Sequence, residues 1–153
     1  MNQTVFRPAD DSDIETLLAM MREFYAQDGL RFDEPAARRA LQGAIHEPNL
    51  GRVFLILEEG EVAGYAALTF GYSLEFHGRD AFVDEIYLRD EYRGKGIGKS
   101  ALEFLSTVCA ESGVRALHLE VERHNTNAQQ VYRKFGFKEH DRYLMTKWIS
   151  HQP

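Results

Sequence analysis

The sequence predicts an α/β domain: a central sheet of mixed strand direction with helices packed on it. Three observations carry this. Ile14, Leu17, Leu18, Met21, Phe24 and Tyr25 recur at helical spacing. Unbroken apolar runs such as Val53-Phe54-Leu55-Ile56-Leu57 read as buried strands. Residues 81–88, a strand, then pass through a glycine-rich turn into a further helical pattern. Helices placed between strands in this order imply a sheet whose strands do not all run one way.

Taken in order, Val5-Phe6-Arg7 is a short opening strand that Pro8 breaks, and the Asp10-Asp11-Ser12-Asp13 cluster offers helix caps. A helix over 12–27 ends at Asp28-Gly29, and a second starts near Glu34-Pro35, since proline suits a first turn. It stops before Pro48. Strands follow at 53–57 and 62–70, with a less regular stretch from Gly71 to Gly78. The strand 81–88 carries two carboxylates, Asp84 and Glu85, which strict alternation sends to opposite faces. Ala101-Leu102-Glu103-Phe104-Leu105 opens the next helix, which Gly113 closes. Residues 116–121 alternate as a strand, Asn125 or Asn127 caps a short helix through Phe135, and Phe137 with 143–149 supply the last strands.

A chain of 153 residues is long enough to bury a full core, and no repeat or linker divides it, so 1–153 reads as a single domain. No apolar run approaches the roughly 20 residues of a membrane span. Met1-Asn2-Gln3-Thr4 lacks the basic-then-apolar profile of a signal peptide. With one cysteine, Cys109, there is no internal disulfide, and a cytoplasmic location is expected. Cys109 falls on the inner face of a helix as a small hydrophobe. The net charge of -6 argues against a broad nucleic-acid surface and suits a cationic substrate. The six histidines show no metal spacing, and His118 reads as a strand packing or surface residue.

The stretch Arg93-Gly94-Lys95-Gly96-Ile97-Gly98-Lys99-Ser100 joins a strand to a helix start. Glycines admit a ligand to the backbone. The helix start presents free N–H groups and positive potential, a setting for phosphate. The Walker A spacing fails at Arg93 and the dinucleotide fingerprint fails at Lys99. A third pattern fits: Arg or Gln, two residues, Gly, one residue, Gly, met by Arg93, Gly96 and Gly98. This resembles the pyrophosphate loop of the GNAT superfamily of N-acetyltransferases. A second stretch, ending in Tyr132-Arg133-Lys134-Phe135-Gly136-Phe137, resembles that superfamily's other hallmark, with Asn125, Ala128, Tyr132, Gly136 and Phe137 in its places. The order of helices, strands and motifs matches along essentially the whole chain.

The resemblance implies a sheet of about seven strands flanked by about four helices. It also implies acetyl-CoA as co-substrate, a primary amine as acceptor, no metal, and a homodimer. It implies cofactor contacts from Ile86, Tyr87 and Leu88 at a splayed strand end, from the Arg93 to Lys99 loop (Gly94, Lys95, Gly96, Ile97 and Gly98 between them), and from Asn125. Amine chemistry sets its own demands. An amine of pKa about 10.4 is nucleophilic at pH 7 in roughly one part in a few thousand, a deficit of about 4.6 kcal/mol. A base or desolvation must remove its proton, a fixed N–H must meet the oxyanion, and a donor must protonate the leaving thiolate. Tyr132, by its motif position, is the donor. For the base, Val83-Asp84-Glu85-Ile86-Tyr87-Leu88 resembles the carboxylate-bearing strand of diamine and spermidine acetyltransferases, with the two acids in reversed order. Asp84 and Glu85 are therefore both candidates, ahead of Glu120, which resembles the glutamate of ribosomal-protein N-terminal acetyltransferases. Glu75, Asp80, Asp84 and Glu85 favour a small cationic amine; the alternatives are a protein N-terminal or lysine amine, or a non-catalytic acyl-CoA-binding module. Specificity falls to the segments around Leu30 and Ser73.

Overall fold

A computed structural model describes residues 3–150; Met1 and Asn2 of the N-terminal stretch lie outside it. Residues up to Leu119 form one compact unit and those from Glu120 a second.

The first unit is a five-stranded sheet in sequential order, β1 (Thr4–Pro8), β2 (Gly51–Glu58), β3 (Glu61–Ser73), β4 (Gly78–Leu88) and β5 (Ala116–His118). The first four strands pair antiparallel and β5 joins β4 in parallel, so the sheet is mixed as expected. Helices α1 (Ile14–Gln27) and α2 (Glu34–His46) precede β2, and α3 (Ile97–Glu111) crosses from β4 to β5. A parallel pair needs such a crossover.

The start of α2 follows from its caps. The Asp33 side chain accepts the Ala36 N–H at 3.0 Å, and Pro35 occupies the first turn. The buried stripe of α1, including Leu17, Leu18 and Met21, packs with Leu55, Tyr65 and Tyr87 on one sheet face. On the other face, Ile97, Ala101 and Leu105 of α3 pack with Phe54, Ile56, Ala66 and Leu68. Each fully buried leucine contributes about 1.5–3 kcal/mol. Gly64 is demanded by a close approach: a Cβ there would stand 1.9 Å from the Tyr87 carbonyl oxygen.

Several boundaries differ from expectation. β3 runs on to Ser73 and β4 begins at Gly78, so only residues 74–77 form the turn. α3 starts at Ile97 rather than near Ala101, which puts Gly98, Lys99 and Ser100 in its first turn. β5 ends at His118, leaving Leu119, Glu120 and Val121 outside any strand.

In the second unit, α4 (Thr126–Lys134) is capped at both ends by the residues of the second motif. The Asn125 side chain accepts the Ala128 N–H at 3.2 Å. At the far end Phe137 N–H bonds the Tyr132 carbonyl and Gly136 N–H that of Arg133, with Gly136 at φ 101. This is a Schellman closure. The Tyr132 and Phe137 rings meet edge-on at 6.0 Å across it. No strand follows among the described residues, so the sheet has five strands and not about seven. Tyr143, Leu144, Met145, Trp148 and Ile149 are all exposed. Their β propensity is a preference for a half-buried pleated surface, and without a paired ladder it makes no strand.

Candidate active site

The site begins with an irregularity in β4. Ala67 of β3 pairs with Glu85, but the next residue, Leu68, pairs with Val83. Asp84 is thus an extra residue opposite the ladder, a β-bulge. Val83 and Ile86 both pack toward the α3 core. Glu85 instead bonds Tyr65 and Tyr25 on the face that carries α1. The bulge therefore brings Asp84 and Glu85 to one face, where strict alternation would have separated them, and the charge of Asp84 acts on Glu85, Tyr25 and Tyr65.

The two acids differ in partners. Glu85 accepts the Tyr25 hydroxyl on Oε2 at 2.5 Å and the Tyr65 hydroxyl on Oε1 at 2.7 Å. Burial pushes its pKa up, against the two phenols that lower it. Burial and the same carboxylate hold both phenols well above their usual range. Asp84 accepts no hydrogen bond from the described residues, and desolvation alone raises its pKa although its side chain still meets solvent. Asp80, further down the same strand, is taken up by His118, with Nε2 and Oδ2 3.1 Å apart. The ring of His118 lies against Phe76 and Phe82. It is the packing residue expected, with an acid partner that the spacing did not announce. Glu75 sits in the exposed turn before β4.

The ladder between β4 and β5 ends at Phe82 and His118, so among the described residues no strand pairs with 83–88 on that side. Arg89 N–H donates to the Ala63 carbonyl on β3 at 2.9 Å. Two-residue alternation then turns the N–H of Tyr87 to β3 and those of Ile86 and Leu88 toward the open side. The Tyr87 side chain serves the fold: its hydroxyl donates to Glu23 at 2.9 Å and its ring stacks on Phe24. A cleft of about 410 Å³ beside it is lined by Glu23, Gln27, Tyr87, Arg89, Asp90 and Glu91. That cleft contains neither Asp84 nor Glu85.

The glycine loop meets the helix at Gly96, the N-cap of α3, whose φ of 81 admits glycine almost alone. The first N–H back in the helical ladder is that of Ser100, bonded to Gly96. Among the described residues, the N–H groups of 94–99 donate to no backbone carbonyl. Gly98 differs from Gly94 and Gly96: its φ is not positive and a Cβ there would touch nothing within 4 Å. The fold has no need of glycine at 98. Arg93 is less available than its charge suggested. Its Nε donates to the Leu88 carbonyl at 2.9 Å, its Nη2 to Gln27 at 2.7 Å, and its Nη1 lies 2.9 Å from Asp90. Lys95 and Lys99 are the loop's other exposed cations.

In the second unit Asn125 is engaged as a cap through Oδ1, and burial raises the pKa of Tyr132, which keeps its hydroxyl protonated. Glu120 is exposed and lies outside any strand. Tyr25 and Tyr65 were missed in the sequence. The one available signal was a lone tyrosine in the small-residue run Ala63-Gly64-Tyr65-Ala66-Ala67.

The acetyltransferase (GNAT) family model matches residues 17–137, and the chain belongs to that family. It is 27% identical over 144 residues to thialysine N-epsilon-acetyltransferase of Bos taurus, covering 88% of this chain and 84% of that one. Among solved structures, an integron cassette protein from the mobile metagenome of Cole Harbour Salt Marsh is 37% identical, with TM-score 0.83 over 96% of this chain and 91% of that one. A predicted acetyltransferase from Clostridium acetobutylicum, solved with acetyl-CoA, shares the fold at 21% identity and TM-score 0.79, covering 98% of this chain and all of the other (100%). Among the described residues no helix is long and apolar enough to cross a membrane.

Proposed function

We propose that the enzyme transfers the acetyl group of acetyl-CoA to the primary amine of a small cationic acceptor, by direct attack in a ternary complex. The observation that carries this reading is Asp84, a carboxylate on the bulge of β4 with raised pKa and, among the described residues, no hydrogen-bond donor. Asp84 takes a proton from the acceptor's ammonium. The freed amine attacks the thioester carbonyl, the C–N bond forms and the C–S bond breaks. An N–H of Ile86 or Leu88 meets the oxyanion, and Tyr132 gives the departing thiolate its proton. The N–H groups of 94–99, with Lys95 and Lys99, take the pyrophosphate, and Asn125 keeps its amide N–H groups for the cofactor arm. Arg93 and the Tyr87 side chain hold the strand end in place. The name of the bovine relative, which carries an amine acceptor, supports this acceptor class. One catalytic domain over 1–153, active as a homodimer, belongs to the same reading; sedimentation at micromolar concentration as a 17.6 kDa species would remove the dimer.

Release of the CoA thiol, followed across a panel of small amines and of peptides, tests the acceptor. Small polyamines and amino-acid amines are expected to turn over. Turnover confined to peptides would overturn the acceptor class. The cofactor loop has its own test at Gly98. A Cβ at Gly98 meets no atom within 4 Å and the φ there is not positive, whereas a change at Gly96 would strain φ 81 whatever bound there. Gly98→Val should fold normally and bind acetyl-CoA at least about tenfold more weakly by calorimetry, the effect of about 1.4 kcal/mol lost in binding. Unchanged affinity would take the pyrophosphate away from this loop.

A further inference from the structure

Glu85 is the most constrained group near the proposed base. Two phenols from different elements close on its two oxygens, Tyr25 from the last turns of α1 and Tyr65 from β3. Tyr65 is 1% exposed, in a strand otherwise built there of glycine and alanine. The Tyr25 ring meets Phe24 and Phe32 edge-on, which ties the segment between α1 and α2 to the same carboxylate. The titratable groups that act on Glu85 are Tyr25 from α1, Tyr65 from β3 and Asp84 from β4; Tyr87, two residues on, is held by Glu23 and lies under Arg93. Nothing in acetyl transfer itself requires a buried and a half-buried tyrosine on a carboxylate that is not the base.

We propose that Tyr25 and Tyr65 are positioning residues for the transfer: together they hold Glu85 as an ionised, fixed neighbour of Asp84, so that the acceptor's proton goes to Asp84. The inference rests on the reading of Asp84 as base. Two carboxylates brought to one face by a bulge tend to share a proton. With Glu85 protonated, the pair would already hold a proton before an acceptor arrived. Two phenol donors oppose this, because a hydrogen bond to the charged form favours that form. They also hold Glu85 in one orientation, leaving Asp84 as the acid without a donor.

The sign of the effect follows. Burial and the charge of Asp84 both raise the pKa of Glu85, and only the two phenols lower it. Removing one phenol leaves the raising influences opposed by the other phenol alone, so Glu85 takes up its proton at higher pH. The acid limb of kcat/KM should then move upward by about one pH unit. Rates above that limb should stay near wild type, since phenylalanine keeps the ring.

The experiment measures kcat/KM against pH for the amine turned over fastest in the panel, in wild type, Tyr25→Phe, Tyr65→Phe and Asp84→Asn. A ¹³C carboxyl titration of Glu85 in the ligand-free proteins accompanies it. An upward-shifted acid limb in both tyrosine variants, matched by the Glu85 titration, supports the proposal. A uniform loss at every pH with an unmoved limb overturns it and leaves the tyrosines as packing. If Asp84→Asn retains full activity, the reading of Asp84 falls and the inference falls with it. If Asp84→Asn is inactive and the tyrosine limbs are unmoved, the inference alone fails. Should Tyr65→Phe fail to fold, Tyr25→Phe, at the helix end, decides the matter alone.

Discussion

Asp84→Asn is expected to lower kcat/KM for the amine acceptor by about 10²–10⁴-fold, the usual worth of a general base, while acetyl-CoA binding stays as in wild type. Asparagine keeps the shape and removes the charge, and with it the ability to take a proton. The variant should also show a distinctive pH dependence. Without a base, only amine already deprotonated in solution reacts, and that fraction rises about tenfold per pH unit below about 10.4. The rate of Asp84→Asn should therefore climb through pH 9, where the wild type is already near its plateau. Full activity at pH 7 would take the role from Asp84.

The same carboxylate makes a stability prediction of opposite sign. Its folded pKa is raised by desolvation. A raised pKa means the unfolded state favours the charged form more than the folded state does. The contribution of Asp84 is thus most favourable below its unfolded pKa and is lost as pH rises through the folded value. At neutral pH Asp84→Asn should leave Tm unchanged or slightly higher; the gain is small because the side chain still meets solvent. Loss of activity together with loss of Tm would instead mean a folding defect. Glu85→Gln is expected to behave differently, since it unbalances two hydrogen bonds and leaves buried phenols competing for one carbonyl oxygen.

The legible parts of this fold are those written in local chemistry. Pro35 announced the start of α2, and the Asn125 to Phe137 motif is, in the structure, an N-cap and a Schellman C-cap on one short helix. The glycine loop was legible for the same reason, since positive φ at Gly94 and Gly96 leaves few other residues possible. The start of α3 was set four residues late because its first turn carries glycine, which weakens a helical pattern. The bulge at Asp84 was not legible. It is a mismatch between two strands, Leu68 pairing with Val83 and Ala67 with Glu85, and neither strand encodes it alone. The tyrosine bracket was hidden for a related reason: Tyr25 reaches Glu85 across 60 residues of chain. The last strands were over-read, because apolar alternation from Tyr143 onward records propensity and says nothing of a neighbour.

Tyr132→Phe is expected to lower kcat and kcat/KM together, by about 10²-fold or more, with little change in acetyl-CoA binding. A loss confined to the transition state has that signature. The structure sharpens the demand on this residue. Its backbone carbonyl closes the C-cap of α4 and its ring meets Phe137, and phenylalanine preserves both. Burial raises the hydroxyl's pKa, which guarantees a protonated donor at every working pH. It also widens the gap to a thiol of pKa about 8.5, so the transfer is more uphill than the roughly 2 kcal/mol between unperturbed groups. The donor therefore acts only as negative charge develops on sulfur. An acyl donor with a more acidic leaving thiol needs less protonation and should partly rescue Tyr132→Phe. A defect equal for both donors, or a variant of full activity, would leave Tyr132 with its packing role alone.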